Sequence, residues 1–235
     1  MIDRSLNYGR PAIREFLKSI PPYKILLDIG AGTGVDLKIA KEVRSEAVFH
    51  GIECHKPYAD DLKKYGWSIH HIDIERQAFP FGIQELDVIM ANQVLEHVKE
   101  IFWIFHEMSR CLKVGGHLVL GVPNLASLHN RLLLPFGKQP TSIQVFSAHV
   151  RGYTKPGLLR FLSEVCPGQF ELVAFRGANF YPLPPFLAVP MARLFPTLAW
   201  GAFFLIKKVR PYNSEFLKYA SPGRLETNYY LGPSR

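Results

Sequence analysis

Apolar positions along the chain recur with two different periods, and the switching between them outlines the fold. In residues 11–20, Ile13, Phe16, Leu17 and Ile20 fall at the i, i+3, i+4, i+7 spacing of one helix face, with Pro11 in the first turn and Pro21-Pro22 as the stop. Four short runs rich in β-branched and apolar residues follow: KILLDIG (24–30), AVFHGIE (47–53), WSIHHID (67–73) and LDVIMAN (86–92). Each has the length of a strand, and helical or turn segments separate the earlier ones. Glu100–Leu112 again reads as a helix, with Ile101, Ile104, Phe105, Met108 and Leu112 on one face, and Val114-Gly115-Gly116 turns the chain into a fifth strand, HLVLGVP (117–123). Strands alternating with helices pair in parallel through right-handed crossovers, so the pattern predicts an open α/β sheet.

Beyond Asn124 the pattern loosens. A short helix over 125–134, a loop with Pro135, Gly137 and Pro140, the polar stretch HVRGYT (149–154) and a helix over 155–165 precede two further candidate strands, FELVAFR (170–176) and AFFLIKKV (202–209). Residues 177–206 hold one charged residue, Arg193, and five prolines. A membrane-spanning helix needs about 20 consecutive apolar residues with unbroken backbone bonding, which these prolines forbid. Two readings stay open for the stretch. It could lie on a membrane surface or over a hydrophobic substrate, with Lys207, Lys208 and Arg210 meeting anionic head groups, or form an insertion packed on the core that ends in a buried strand.

Composition narrows the class. With 48% hydrophobic and 20% charged residues in a chain of 235, a folded globular protein is expected, and disordered, collagen-like and coiled-coil readings lose their support. The three cysteines, Cys54, Cys111 and Cys166, form no CxxC pair and fit reduced thiols. The first residues lack an apolar run long enough for a secretion signal, so a cytoplasmic location is expected, with peripheral membrane contact through 177–210 as one of the two open readings of that stretch. Of the net charge of +8, nothing comes from residues 1–122, which carry 15 basic and 16 acidic side chains. Residues 123–235 carry 13 and 4, a basic half that suits nucleic acid, an anionic membrane or a phosphorylated substrate.

The densest chemistry follows the first strand, in Asp28-Ile-Gly30-Ala-Gly32-Thr-Gly34. Glycines let the backbone turn sharply and approach a ligand, and the helix beyond presents unpaired N–H groups. A hydride-carrying dinucleotide site wants G-x-G-x-x-G, and its third glycine would fall on Val35, so that fingerprint is broken. Glu53, at the end of the second strand run, suits the two hydroxyls of a ribose, and Asp73, at the end of the third, an adenine amino group. Asp28, Glu53, Asp73 and Asn92 thus all fall at carboxyl ends of strands, where open parallel sheets bind their ligands.

These motifs, in this order, resemble the class I S-adenosylmethionine-dependent methyltransferases. ILLDIGAGTG is similar to the family's first motif, GIECHK to the second-strand acid motif and HIDIERQAFPF to the third-strand aspartate motif. LDVIMANQVLEHV and RCLKVGGHLVLGVPN are similar to the fourth and fifth. The segment VPNLASLHNRLLLPFGKQP with HVRGYT resembles the methyltransferase type 11/23 group, which includes MetW-like proteins and ubiquinone-type O-methyltransferases. The resemblance implies a Rossmann-like, doubly wound, seven-stranded sheet, mostly parallel with an antiparallel last strand, for which AFFLIKKV is the candidate. It implies 23–210 as the methyltransferase domain, with 177–201 as an apolar Pro-rich insertion; the helix ahead of it makes residues 1–22 a helical flap, and 211–235 follow as a tail without an assigned role.

It further implies S-adenosyl-L-methionine as cofactor. Gly30, Ala31, Gly32 and Gly34 would face its methionine and ribose portions, with Asp28 organising the loop. Glu53 and Cys54 would meet the ribose side, Asp73 and Ile74 the adenine, and Asn92 with Gln93 the methionine end. Methyl transfer from a sulfonium is an in-line displacement that needs no covalent intermediate, and a base helps when the nucleophile is a hydroxyl. His97 and His149 are the candidate bases, and Arg151 and Tyr153, beside His149, the candidate acceptor contacts. No pair among His50, Cys54, His55, His70 and His71 has a recognised zinc spacing, so no metal is expected. Cys166-Pro167 reverses the Pro-Cys order of cytosine C5 methyltransferases and reads as a buried thiol.

Asn92-Gln93-Val94-Leu95 lacks the Asn/Asp-Pro-Pro-aromatic tetrad of many amino-methylating enzymes, which favours a small-molecule, lipidic or glycan-linked oxygen acceptor over nucleic acid. The alternatives are a MetW-type cofactor-binding partner protein without transfer activity, and an RNA methyltransferase using the basic half.

Overall fold

The computed structural model describes residues 6–233. The outer ends of the expected flap and tail, residues 1–5 and 234–235, lie outside the described residues. Seven strands form one sheet: β1 (Ile25–Ile29), β2 (Val48–Ile52), β3 (Ser68–His70), β4 (Leu86–Asn92), β5 (Leu112–Pro123), β6 (Phe170–Ala178) and β7 (Gly201–Lys208). Their order is β3-β2-β1-β4-β5-β7-β6, parallel except for β7, which runs antiparallel to both β5 and β6. The expected reversed last strand is therefore present, wedged one place in from the edge.

The helices are α1 (Arg10–Ser19), α2 (Val35–Val43), α3 (Lys56–Lys63), α4 (Ile101–Cys111), α5 (Leu128–Leu133), α6 (Lys155–Val165), α7 (Pro185–Leu194) and α8 (Glu215–Tyr219). Period-two alternation gives each strand two apolar sides. Leu26, Val88, Met90, Val119, Phe203 and Leu205 meet α1, α2 and α3 on one side of the sheet. Leu27, Ile89, Leu118, Leu120, Phe204 and Ile206 meet α4, α6 and α8 on the other. The α1 residues Ile13, Phe16 and Leu17 are buried within the first layer, so this helix packs as part of the core.

Three boundaries differ from the sequence reading, each for a local reason. The third strand ends at His70 because β2, which pairs with it through Ile52↔His70, ends there as well, leaving 71–73 without a ladder partner. β5 begins at Leu112 rather than His117; the ladder jumps from Leu86↔Leu112 to Val88↔His117, so the glycine turn is a bulge within the strand, with Gly115 at φ +86°. The Pro-rich insertion contains a helix, α7, entered at Pro184-Pro185 and carrying Pro190 inside it.

Part of the expected membrane-facing stretch is corrected by this packing. Residues 201–208 are an interior strand, and the Lys208 ammonium is buried, donating to the carbonyls of Ser109 and Leu112 at 2.7 Å each. Arg210 is held by Glu215 and the Pro167 carbonyl. The described part of the tail packs on α4: Phe216 is fully buried, Tyr212 Oη lies 2.8 Å from His106 Nδ1, and Tyr230 N–H donates to Glu100 at 2.6 Å.

Candidate cofactor and acceptor site

The turn after β1 is built by left-handed backbone at Gly30, Gly32 and Gly34 (φ +69°, +53° and +76°). The N–H groups of Gly30 and Ala31 both donate to the Ile52 carbonyl, which bolts the turn to the end of β2. A Cβ on Gly30 would strike Val94 at 2.5 Å, and one on Gly34 would strike Leu62 at 2.4 Å and Trp67 at 2.7 Å. Gly32 differs: its nearest neighbour would be a carbonyl at 3.9 Å, so the space beside it is open. That opening is the cradle a ligand can fill.

Glu53 stands across the opening. One of its carboxylate oxygens accepts the Gly32 N–H at 2.8 Å and the other the His55 N–H at 2.7 Å. A carboxylate has about four lone-pair directions, so two remain for a pair of ribose hydroxyls. Asp28 is buried beneath, with Oδ2 unpartnered; burial, then the charge of Asp36, pushes its carboxyl well above the usual range. Its Oδ2 accepts no hydrogen bond from the turn.

Asp36, in the first turn of α2, joins the site although the sequence reading passed it over. It accepts from Arg10 Nε at 2.8 Å and from Asn92 Nδ2 at 3.0 Å, linking α1, α2 and the end of β4. Its signal was an acid just inside the helix N-terminus beyond a glycine loop, where the helix dipole favours negative charge. Gln93 follows Asn92 with φ +57°, its N–H held by the Gly121 carbonyl. Asp73 and Ile74 lie in the loop beyond β3: Asp73 is exposed and accepts the Glu75 N–H at 2.9 Å, and Ile74 is half-buried. Cys54 lies beside Glu53 on the surface, and partial desolvation of its thiol, then the Glu53 charge, raises its pKa. Asp36, ion-paired with Arg10, and Glu53 thus flank the loop, while Asp28 beneath them is driven toward its neutral form.

The acceptor candidates cluster beyond β4. His97 and His149 meet edge to face with ring centroids 4.7 Å apart. Glu96, between Leu95 and His97, is 1% exposed, and neither carboxylate oxygen has a partner; burial pushes its pKa up to about 7. It too was missed, because an acid in LEHV carries no sign of depth. The Glu96 carbonyl accepts the N–H groups of Val150 and Arg151 at 2.8 and 3.2 Å, which brings residues 149–151 against this turn. Tyr153 is buried and donates its hydroxyl to the Leu95 carbonyl at 3.1 Å. Its phenol braces the turn. Arg151 donates to the Lys99 carbonyl at 3.0 Å and, with Tyr153, lines a cavity of about 510 Å³ shared with Phe102, Phe161 and Tyr229.

Fold and site together define a doubly wound α/β nucleoside-cofactor protein with a glycine cradle after β1 and an acid after β2. The chain belongs to the class I, S-adenosylmethionine-dependent methyltransferases: residues 6–150 match the family model described as a methyltransferase domain. A malonyl-[acyl-carrier protein] O-methyltransferase of Legionella pneumophila is 27% identical over 108 residues, 45% of this chain and 37% of that protein. A protein described as probable tRNA methyltransferase 9B of Mus musculus is 26% identical over 147 residues, 59% and 32% of the two chains. The chain spans between 24% and 37% of the length of the curated relatives it matches. Among solved structures, an S-adenosylmethionine-dependent methyltransferase from Mesorhizobium loti shares the fold at a TM-score of 0.60 and 16% identity, covering 86% of this chain and all of that one.

Proposed function

We propose that the protein transfers the methyl group of S-adenosylmethionine to an oxygen of a small, lipid-like acceptor. The observation that carries the oxygen assignment is the cluster of Glu96, His97 and His149 beyond β4, a set of proton-accepting groups beside the expected methionine end of the cofactor. A hydroxyl must shed its proton as it is methylated, and such a cluster handles that proton or the charge it leaves. The cofactor's own contribution is an electrophilic methyl on a cationic sulfur. Glu53 fixes the ribose end and the cradle at Gly32 admits the cofactor. Alignment of oxygen, methyl carbon and sulfur within a dry site supplies most of the acceleration.

The lipid character rests on the face around the site. Two segments, one following β5 and one joining β6 to β7, dock together beyond this edge of the sheet: Asn124 Nδ2 donates to the carbonyls of Thr197 and Ala199, and Leu128 N–H to that of Leu198. They expose Phe136, Val145, Phe146, Phe186 and Leu194, each 69–89% accessible. Residues 124–163 and 172–214 contain no acidic side chain, whereas Arg131, Lys138 and Arg193 accompany the apolar ones. An apolar, acid-free surface of this kind fits an anionic bilayer. Among the described residues no helix is long and apolar enough to cross a membrane, which leaves contact with its surface.

The test is an acceptor screen with methyl-labelled S-adenosylmethionine, using phenolic and isoprenoid alcohols in vesicles, acyl-carrier carboxylates, glycans and transfer RNA in parallel. Label in an ether or ester of a lipid supports the reading. Label in RNA replaces it with the nucleic-acid alternative, and cofactor binding with no transfer to any acceptor leaves the partner-protein alternative.

A further inference from the structure

Glu96, His97 and His149 each offer one ligand atom, and the three atoms lie within 4.8 Å of one another. Glu96 is nine-tenths and more buried, and both its oxygens lack a hydrogen-bond partner, an arrangement that costs energy unless something else fills it. The imidazoles are oriented by the backbone: His149 Nδ1 lies 2.8 Å from the Ser142 carbonyl oxygen, and His97 bonds the Ala148 backbone. An imidazole that donates one N–H to a carbonyl presents its second nitrogen as a lone pair, the usual outer support of a metal-bound histidine. The halves of the cluster are fixed to each other through the Glu96 carbonyl, which accepts from Val150 and Arg151, and through the Tyr153 hydroxyl on Leu95.

We propose that Glu96, His97 and His149 form a binding site for one divalent transition-metal ion. Two imidazoles and one carboxylate suit a borderline dication such as zinc, manganese, iron or cobalt better than magnesium or calcium, which prefer all-oxygen shells. Ligand bonds of roughly 2.0–2.2 Å require ligand atoms about 3–4 Å apart, so the three side chains close on the ion by shifts of under about 1 Å. Three protein ligands leave positions open, and one receives the acceptor oxygen; this role rests on the oxygen-methylation reading. The hydroxyl binds the ion and loses its proton to water, the oxygen forms its bond to the methyl carbon, and the carbon–sulfur bond breaks with its electron pair passing to sulfur. The sulfonium leaves as a neutral thioether.

The experiment is a titration of the chelator-stripped full chain with cobalt(II), read by visible absorption. One equivalent giving ligand-field bands is expected, with affinity at least tenfold weaker in His149→Ala and in Glu96→Gln and unchanged in His50→Ala. The last is the control because His50 Nδ1 and His70 Nε2, 3.4 Å apart, form a second imidazole pair. Absence of bands in a folded wild type, undiminished binding in His149→Ala, or loss of binding in His50→Ala each overturns the site. Melting curves verify folding, and His149→Gln serves if the alanine variant unfolds. Calorimetry with S-adenosylhomocysteine on the stripped protein separates the two readings: product binding without cobalt binding removes the metal site alone, and cobalt binding without product binding removes the methyltransferase reading alone.

Discussion

Glu53 and Gly32 meet across the cofactor opening, carboxylate oxygen to backbone N–H at 2.8 Å, and through that bond the end of β2 sets the position of the loop after β1. The same carboxylate holds the His55 N–H, so a single side chain positions the loop and the start of α3 while keeping two lone pairs for a ligand.

Glu53→Ala removes the tie to Gly32 and the lone pairs proposed to hold the ribose. Affinity for S-adenosylmethionine and S-adenosylhomocysteine is expected to fall by about 1–3 kcal/mol, roughly 5- to 150-fold, in calorimetric titration. Equal affinity in variant and wild type would remove Glu53 from the site.

Two glycine substitutions separate ligand space from packing. Both Gly32→Ala and Gly34→Ala carry about 1–2 kcal/mol of left-handed strain. Only at Gly34 does the new Cβ collide with Leu62 and Trp67, so the melting temperature falls further there. At Gly32 the methyl enters open space, and the larger loss is expected in cofactor affinity. The reverse ranking would mean that the opening at Gly32 is not the cradle.

The exposed face is tested by sedimentation with vesicles. Phe146→Ser combined with Phe186→Ser is expected to reduce binding to phosphatidylglycerol-containing vesicles several-fold without changing the melting temperature, because both side chains are largely solvent-exposed. Wild-type binding weakens with added salt and is lost on neutral vesicles. Equal binding by variant and wild type assigns the contact to another surface.

Lys208 gives the protein a pH signature. Burial lowers its pKa from 10.5 to about 8, so between these values the unfolded chain binds more protons than the folded one. Stability contributed by this residue therefore rises as pH increases from about 8 to 10.5, by up to about 3 kcal/mol. Lys208→Met lacks that gain, and the difference in melting temperature between wild type and variant shifts in favour of the wild type across the window. A constant difference would show that the ammonium is not desolvated.

The sequence made the sheet legible where strands are local and apolar, as in β1, β2 and β4, and the glycines marked the turn after β1. The acid of the second strand was legible for the same reason: it closes an apolar run at a fixed distance from the loop. What escaped depends on long-range packing. The third strand stops with its neighbour's last residue, so Asp73 was assigned to a strand end that β2 does not support. Glu96 and Asp36 were passed over because their environments are made by distant segments, residues 149–151 for the first and Arg10 with Asn92 for the second. His97 and His149, 52 positions apart in the sequence, were singled out separately for their chemistry, and only the fold makes them neighbours.

The place of β7 has a consequence for how the protein is made. It is the last strand to be synthesised, yet it fills the gap between β5 and β6, pairing with both along seven or more residues. A growing chain that has not yet emerged through Lys208 therefore carries two naked strand edges facing each other across an empty slot. Such edges are templates for any extended peptide nearby. The apolar run FFLI within β7 thus closes two edges at once, so that a single strand completes the sheet on both sides.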